Sequence, residues 1–270
     1  MKYTARLPEK NVNISHTHPL KEFFILTGGI LFILLGVYIV LGIAVDLIVP
    51  RISPEFEKKL VASFAFTSKD ELSDSEKKLQ ELLISLEEKS DLPYELTISI
   101  DKNSAVNALA LPGGHIRVFS GLIKKVSSEN EIAFVLSHEM GHFKNRDHLK
   151  GLGRMLVFMA LSVAITGSDS SISQYLAQSL MLTELGFSRK QETKADEYAM
   201  DILYLQYHHV GGATILFEKL AKENKEEFMG HYLSSHPAYK KRIQHLKEYA
   251  KGNGYTIGET KKIAFEEKRK

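Results

Sequence analysis

The sequence predicts an α+β, mainly helical domain with a small β-sheet ending in a hairpin, preceded by one transmembrane helix. Three observations predict it. Residues 23–45 read FFILTGGILFILLGVYIVLGIAV without a charge. Two short segments of strand character flank Pro112-Gly113-Gly114, a strong turn signal. Elsewhere, apolar residues recur at three- and four-residue spacing behind Ser-x-x-Glu pairs, which mark helix starts. With 270 residues, 44% of them hydrophobic, the chain has room for one anchor and one domain of roughly 200 residues with a substantial core.

Composition narrows the function classes. The formal net charge is +2, from 35 Lys+Arg against 33 Asp+Glu, and the two signs are interleaved. Such a chain offers nucleic acid no strong field, so nucleic acid is not an expected partner. There is no cysteine, which excludes disulfides, Cys-ligated zinc ribbons and thiol nucleophiles; any metal must be held by His and carboxylates. A cysteine-free chain suits reducing and oxidising compartments equally, so topology has to choose between them.

Residues 1–22 form a polar N-terminal segment, and residues 23–49 form the transmembrane helix that meets the lipid bilayer. The 23 uncharged residues, at about 1.5 Å each, exceed the roughly 30 Å of hydrocarbon. A cleaved signal peptide fits worse: the apolar run is too long, polar residues precede it, and no small-x-small site stands before Pro50. Arg6, Lys10 and Lys21 before the span nearly balance Arg51, Lys58 and Lys59 after it, so the positive-inside rule barely orients it. The expected arrangement is a single-pass membrane protein with a cytoplasmic N-terminus. The following domain then lies on the far side, periplasmic for a bacterial inner membrane.

A second apolar stretch, MLVFMALSVAI at residues 155–165, is too short to span and is expected as a buried helix. A single crossing there would also put His138 and Glu192 on opposite sides of the membrane. Residues 172–185 could return the chain in a hairpin, yet they carry Ser173, Gln174, Gln178, Ser179 and Glu184 and read as amphipathic.

Residues 50–90 hold a linker and a scaffold helix, in which Ser73 and Glu76 form a capping box ahead of Leu79, Leu82, Leu83 and Leu86. The domain itself covers residues 91–250. Residues 94–100 alternate apolar and polar, and residues 105–111 and 115–119 flank the Pro-Gly-Gly turn, which gives the small sheet. Ser128 and Glu131, a second capping box, open a helix whose Ile132, Val135, Leu136 and Met140 lead into His138-Glu139-Met140-Gly141-His142. Residues 251–270 form a charged tail, expected to be solvated and frayed from Lys261 onward.

The chemistry concentrates in that last motif. Histidines at i and i+4 of a helix differ by about 400° of rotation, so His138 and His142 project from one face and can take two corners of a tetrahedral zinc ion. Glu139 lies beside that face, where it can accept a proton from an activated water. A catalytic zinc needs a third protein ligand, and two candidates compete. His148, six residues past His142, has the metzincin spacing H-E-x-x-H-x-x-G-x-x-H, with Asn145 where the chain-turning glycine stands. Asparagine tolerates positive φ better than other non-glycine residues. Glu192 is the alternative. On a helix it shares a face with Asp196, so the glutamate can bind zinc while the aspartate hydrogen-bonds a ligand histidine. An acidic i, i+4 pair among lysines is equally the pattern of a solvated helix face.

Four blocks stand in order along the chain: Val106-Asn107-Ala108 with Pro112-Gly113-Gly114; H-E-M-G-H followed by Asn145-Arg146; Glu192-Thr193-Lys194-Ala195-Asp196; and Ser235-His236-Pro237 with Arg242. In this order they resemble the membrane-associated gluzincins, a zinc metallopeptidase family that includes the CAAX prenyl protease, HtpX and the Oma-type peptidases. The resemblance covers about Asp91 to Ala250 and implies a zincin-type (gluzincin) metalloprotease domain: a membrane-anchored endopeptidase with one zinc per chain, acting on protein or peptide substrates. It makes His138, His142 and Glu192 the zinc ligands, in preference to His148, and Glu139 the general base and acid. It makes Asp196 the partner of a ligand histidine. His236 resembles the downstream catalytic-site histidine that stabilises the oxyanion or closes over the zinc at rest, and Asn107 a substrate or oxyanion contact. Arg242 stays open between pairing with an acidic side chain in the site and covering a helix surface. One span rather than several favours the single-anchor, quality-control type of member, cutting unfolded or misassembled protein near the bilayer.

Two rivals stand beside this. One is a metzincin-like peptidase using His148 as third ligand. The other is a non-catalytic membrane-tethered adaptor or chaperone, whose structural zinc has its fourth position filled by His236. The hairpin around Pro112 would offer an edge strand to an extended substrate. His16, His18, His208 and His209 have no partner at ligand spacing and read as ordinary histidines.

Overall fold

The computed structural model describes residues 18–62, 72–167, 171, 187–222, 236 and 239–263. Most of the polar N-terminal segment, the segment 172–185, Ser235, Pro237 and residues 264–270 lie outside the described residues.

The apolar run near the N-terminus is α1, Pro19–Ile48, and none of its residues is buried by the protein. A short turn at Val49–Arg51 leads to α2, Pro54–Ala62. Next comes α3, Asp74–Glu87, opened by the expected capping box: Ser73 Oγ accepts from Glu76 N at 3.3 Å while Glu76 Oε2 accepts from Ser73 N at 2.9 Å. Its leucines at 79, 82, 83 and 86 are buried.

Three strands follow: β1 Thr97–Asp101, β2 Ala108–Leu111 and β3 His115–Phe119, in the order β1-β3-β2. β1 runs parallel to β3, and β2 antiparallel to it through a turn in which Gly113 and Gly114 take φ of 89° and 83°, a region that glycine enters without a Cβ clash. The outer edge of β1 is closed by α3. Glu76 Oε1 accepts from Ile100 N, Gln80 accepts from Ile98 N and donates to Leu96 O, and Glu87 accepts from Leu96 N. That leaves β2 as the open edge of the sheet.

After α4, Ser120–Lys125, comes the central helix α5, Glu129–Asn145, buried without interruption from Asn130 to Phe143. Its Ile132, Leu136, Met140 and Phe143 pack into one core with the α3 leucines, Ile116, Leu122, Leu203 and Phe217. Then follow α6 Asp147–Thr166, α7 Arg189–Tyr207, α8 Ile215–Lys222 and α9 Tyr239–Gly252.

Three features depart from the sequence expectations. The stretch 155–165 is helical but not buried: Leu156, Phe158 and Ile165 are 46%, 49% and 60% exposed. It leaves the core and pairs with α1. A Cβ on Gly153 would lie 2.7 Å from a Val45 methyl, and Arg154 Nη2 grips Asp46 at 2.6 and 2.8 Å. Glu57, on α2 beyond the end of α1, meets His148 at the start of α6, and α6 then packs against α1 through Gly153 and Arg154. An apolar run of this length avoids water without specifying whether protein core or a second apolar helix covers it. Pro19–Arg51 and Asp147–Thr166 are both long and apolar enough, by length and composition, to cross a membrane.

Second, the chain turns after α5 at Arg146, with φ 55° and ψ 32°, and not at Asn145. Asn145 is the last residue of α5, and its Nδ2 donates to Gly141 O at 3.0 Å. Third, Lys261 and Lys262 are held at the start of α5. Glu129 N donates to Lys261 O, Lys261 N donates to Asn130 Oδ1, and Lys262 bridges Ser128. The first N–H groups of a helix lack partners within it, and this returning segment supplies one.

Candidate metal centre

The centre is built where α5 and α7 touch. A Cβ on Gly141 would fall 2.7 Å from the Cα of Ala195, so only glycine lets the two backbones come this close. Their approach brings Glu192, on the face of α7 towards α5, against the two histidines of α5.

One ring nitrogen each from His138, His142 and His236 and one Glu192 oxygen lie within 4.8 Å of one another, and all four residues are buried. His138 Nε2 is 3.1 Å from His142 Nε2 and 3.6 Å from Glu192 Oε2; His142 Nε2 is 3.5 Å from Glu192 Oε1. His236 Nδ1 stands 3.0 Å from Glu192 Oε1 and 3.3 Å from His138 Nε2. Two ligand atoms each about 2.1 Å from a tetrahedral ion lie about 3.4 Å apart, so the spacing suits four-coordinate metal binding.

The far nitrogens of the rings are engaged as well. His138 Nδ1 lies 3.0 Å from Asp196 Oδ1, and His142 Nδ1 lies 3.2 Å from Asp147 Oδ2. With each Nδ1–H given to a carboxylate, each Nε2 turns its lone pair inward, towards the other and towards Glu192. Converging lone pairs beside a carboxylate repel one another until a cation lies among them. The donor set therefore fits a divalent metal held by His138, His142 and Glu192.

Electrostatics point the same way. Burial opposes charge on His142, but its hydrogen bonds to Asp147 and Glu192 outweigh that and hold its pKa up at about 9, so this spot favours positive charge. Burial, then the nearby Arg242 guanidinium, push His138 down to about 4. Arg242, from α9, binds two carboxylates of α7, Glu192 and Asp196. Its Nη1 is 2.6 Å from Glu192 Oε2, and its Nη2 and Nε are 2.6 and 2.8 Å from the two Asp196 oxygens. The guanidinium rests over the Phe217 ring at 4.6 Å. Burial works against ionised Glu192, and His236 and Arg242 overcome it, holding the carboxyl well below the usual range. Arg242 thus belongs to the site and not to a helix surface.

Glu139 is tied to the open edge of the sheet: Ala110 N of β2 donates to its Oε2 at 2.9 Å, while its Oε1 lies 3.7 Å from His236 Nε2. Burial raises its carboxyl above the ordinary range despite the neighbouring His236 and His142. Asn107 is buried just before β2, where its Oδ1 accepts from Ala108 N at 3.0 Å; it is not in the group of four. His148 is not in it either. Its Nε2 lies 3.0 Å from Glu57 Oε1 and its ring packs near Tyr94 and Phe143, so the metzincin spacing does not bring it to the metal group.

Two contributors were not foreseen from the sequence. Asp147 orients His142, and Gln191 Nε2 in turn donates to Asp147 Oδ1 at 2.8 Å. Phe187 stacks on the His142 ring at 3.7 Å between centroids. A Ser188/Gln191 capping box at the start of α7, visible in the sequence, was the signal that could have drawn attention to this corner.

A buried pair of helix-borne histidines joined by a carboxylate from a second helix, under an open strand edge, sets the chain in the metallopeptidase class. Residues 73–250 match Peptidase family M48, and the chain belongs to that family. It is 34% identical over 157 residues to the metalloprotease LoiP of Escherichia coli (strain K12), a match covering 55% of this chain and 60% of that protein. To the mitochondrial metalloendopeptidase OMA1 of Arabidopsis thaliana it is 35% identical over 147 residues, covering 52% of this chain and 29% of the relative. To the metalloprotease YcaL of Escherichia coli (strain K12) it is 32% identical over 157 residues, covering 54% and 58%. Each match thus spans less than two thirds of the relative's own length. The Oma-type likeness carried by the four motif blocks agrees with these relatives.

Proposed function

We propose that the chain is a membrane-anchored zinc endopeptidase of the gluzincin pattern, hydrolysing unfolded or misassembled proteins near a bilayer. The observation that carries this is the convergence of His138, His142 and Glu192 beside a Glu139 tethered to strand β2. The family and the printed names of its relatives, metalloprotease and metalloendopeptidase, support it.

Zinc held by His138 Nε2, His142 Nε2 and Glu192 would supply Lewis acidity towards a peptide carbonyl and a water molecule. The chain's own groups do the rest. Glu139 takes the proton of the attacking water; its raised carboxyl pKa lets it keep that proton and hand it to the leaving amine. Ala110 N fixes the carboxylate, and the outward edge of β2 gives an extended substrate main-chain groups to pair with. Asp196 and Asp147 hold the two ligand rings in register, and Arg242 balances Glu192 and Asp196. His236 closes the group at rest and, once withdrawn, faces the developing oxyanion. α1 anchors the domain, with α6 lying against it.

The test is cleavage of an unfolded protein by wild type and Glu139→Gln, with zinc per chain measured on both. Equal cleavage by the two, or a wild type without metal, would sink the proposal. The contact of His236 with Glu192 also supports a second reading, a structural zinc in a non-catalytic adaptor. His236→Ala separates them: in the peptidase it leaves zinc in place and slows the Glu139-dependent cleavage by about 100-fold or more, whereas it releases the metal from a structural site.

A further inference from the structure

The paired helices α1 and α6 reach their polar boundary at the same level. Asp46 is the first charged residue after the uncharged run of α1, Arg154 is the last before the uncharged run of α6, and the two side chains grip each other. Beyond that pair, on the domain side, opens a cavity of about 330 Å³ lined by Asp46, Pro50, Lys150, Arg154, Lys190 and Lys194, with Asp147 and Gln191 at its inner wall. Lys150 and Arg154 stand one turn apart on α6, and Lys190 and Lys194 one turn apart on α7, so two pairs of cations face one space.

The acidic groups of the cavity are already engaged. Asp46 is held by Arg154; Asp147 is held by His142 and Gln191, with Lys150 Nζ at 3.7 Å. Lys190 and Lys194 have no carboxylate within ion-pair distance among the described residues. Positive charge is therefore in excess, at the depth where the apolar helices emerge. Below it, α1 and α6 expose large apolar side chains, among them Val40, Ile43, Leu156 and Phe158. Past Arg154, α6 runs 12 residues, about 18 Å, along α1. A basic pocket standing on an apolar wall matches an amphiphile with an anionic head and hydrocarbon tails; it does not match a wholly soluble anion.

We propose that this cavity binds the phosphate of an anionic phospholipid, whose acyl chains lie along α1 and α6. The site rests on the membrane-anchor reading and adds a specific ligand to it. Its inner wall is Asp147, whose other oxygen orients His142, so the headgroup sits one side chain away from the metal group.

The full chain is reconstituted into vesicles of equal phosphatidylcholine and phosphatidylglycerol, re-extracted in mild detergent, and its retained lipids counted by native mass spectrometry. Wild type should retain phosphatidylglycerol over phosphatidylcholine, and a Lys150→Ala/Lys190→Ala/Lys194→Ala variant should retain at least fivefold less. A matched Lys77→Ala/Lys222→Ala/Lys251→Ala control, altered at exposed sites elsewhere, should behave as wild type. Lys190→Glu/Lys194→Glu, at two exposed positions, gives a second variant should the triple one misfold. Equal retention of the two lipids, or no loss in the variants, would overturn the site. Displacement of the lipid by millimolar inorganic phosphate would assign the cavity to a soluble anion and overturn it equally. Failure of wild type to enter the vesicles sinks the anchor together with the site, whereas entry without selective retention sinks the site alone.

Discussion

His142 Nδ1 and Asp147 Oδ2 lie 3.2 Å apart across the left-handed turn that Arg146 makes between α5 and α6. The carboxylate fixes the ring with Nδ1 protonated and Nε2 turned towards Glu192. Removing such a partner typically costs 10–100-fold in metal affinity. Asp147→Ala should weaken zinc binding by about that factor while the domain stays folded, as read by competition with a chromophoric chelator. An unchanged affinity would mean that Phe187 stacking alone orients the ring.

Glu192 and His148 make opposite predictions. Glu192→Ala removes a donor from the metal group and leaves Arg242 facing Asp196 alone, so zinc should be lost on dialysis at micromolar protein. His148→Ala should keep its zinc, because the ring faces Glu57 and not the metal group. Its cost appears in stability instead, about 1–3 kcal/mol for leaving a buried carboxylate without one of its donors. Zinc stoichiometry and urea midpoints on both variants decide the matter; zinc loss in His148→Ala would revive the metzincin arrangement.

The parts of the molecule legible in the sequence are those set by local rules. Ser73 with Glu76, Ser128 before α5, the Pro-Gly-Gly turn and the two histidines of H-E-M-G-H each declare themselves within a few residues. Asp147 does not, because its contact with His142 depends on a non-glycine residue adopting φ 55°, which spacing alone does not announce. Gly141 reads as an ordinary helix residue until Ala195 is seen against it. The Arg242 contacts with Glu192 and Asp196 join α9 to α7, and no periodicity in either segment encodes them. The misassignment of α6 has another cause: apolar composition reports avoidance of water and leaves the covering partner unspecified.

Glu57 ties α2, the helix that follows the apolar α1, to the frame of the metal group. It is fully buried and accepts from Tyr94 Oη at 2.8 Å, Gly113 N at 2.6 Å and Arg146 Nη1 at 3.3 Å, with His148 Nε2 at 3.0 Å. Burial alone would raise its carboxyl, yet His148 and these hydrogen bonds hold it below the usual range. Breaking a buried charge network by removing one member costs about 3–5 kcal/mol. Glu57→Ala should lower stability by about that amount and speed proteolysis at the Pro112–Gly114 turn, whose backbone it anchors. An unchanged urea midpoint together with an uncut turn would show that α2 is only loosely attached.

His115 supplies a pH dependence separate from the metal ligands. Its ring is buried in the sheet between Thr97 Oγ1 at 2.9 Å and Ser99 Oγ at 2.8 Å. Burial, and then the charge of Arg117, push its pKa down from 6.5 to about 4. The unfolded chain therefore binds a proton between pH 6.5 and 4 that the folded chain refuses. Stability from the neutral ring is complete above pH 6.5, falls as pH drops through this window, and levels off below about 4. At about 1.36 kcal/mol for each pH unit the window covers, the stability lost across it is at most about 3.4 kcal/mol. Urea unfolding of wild type and His115→Gln, both with zinc chelated so that ligand protonation contributes equally, isolates this contribution. The advantage of wild type over the variant should shrink between about pH 7 and 4.5, because glutamine keeps a donor and an acceptor for Thr97 and Ser99 but binds no proton. A constant difference across that range would mean that His115 titrates normally and that water reaches the ring.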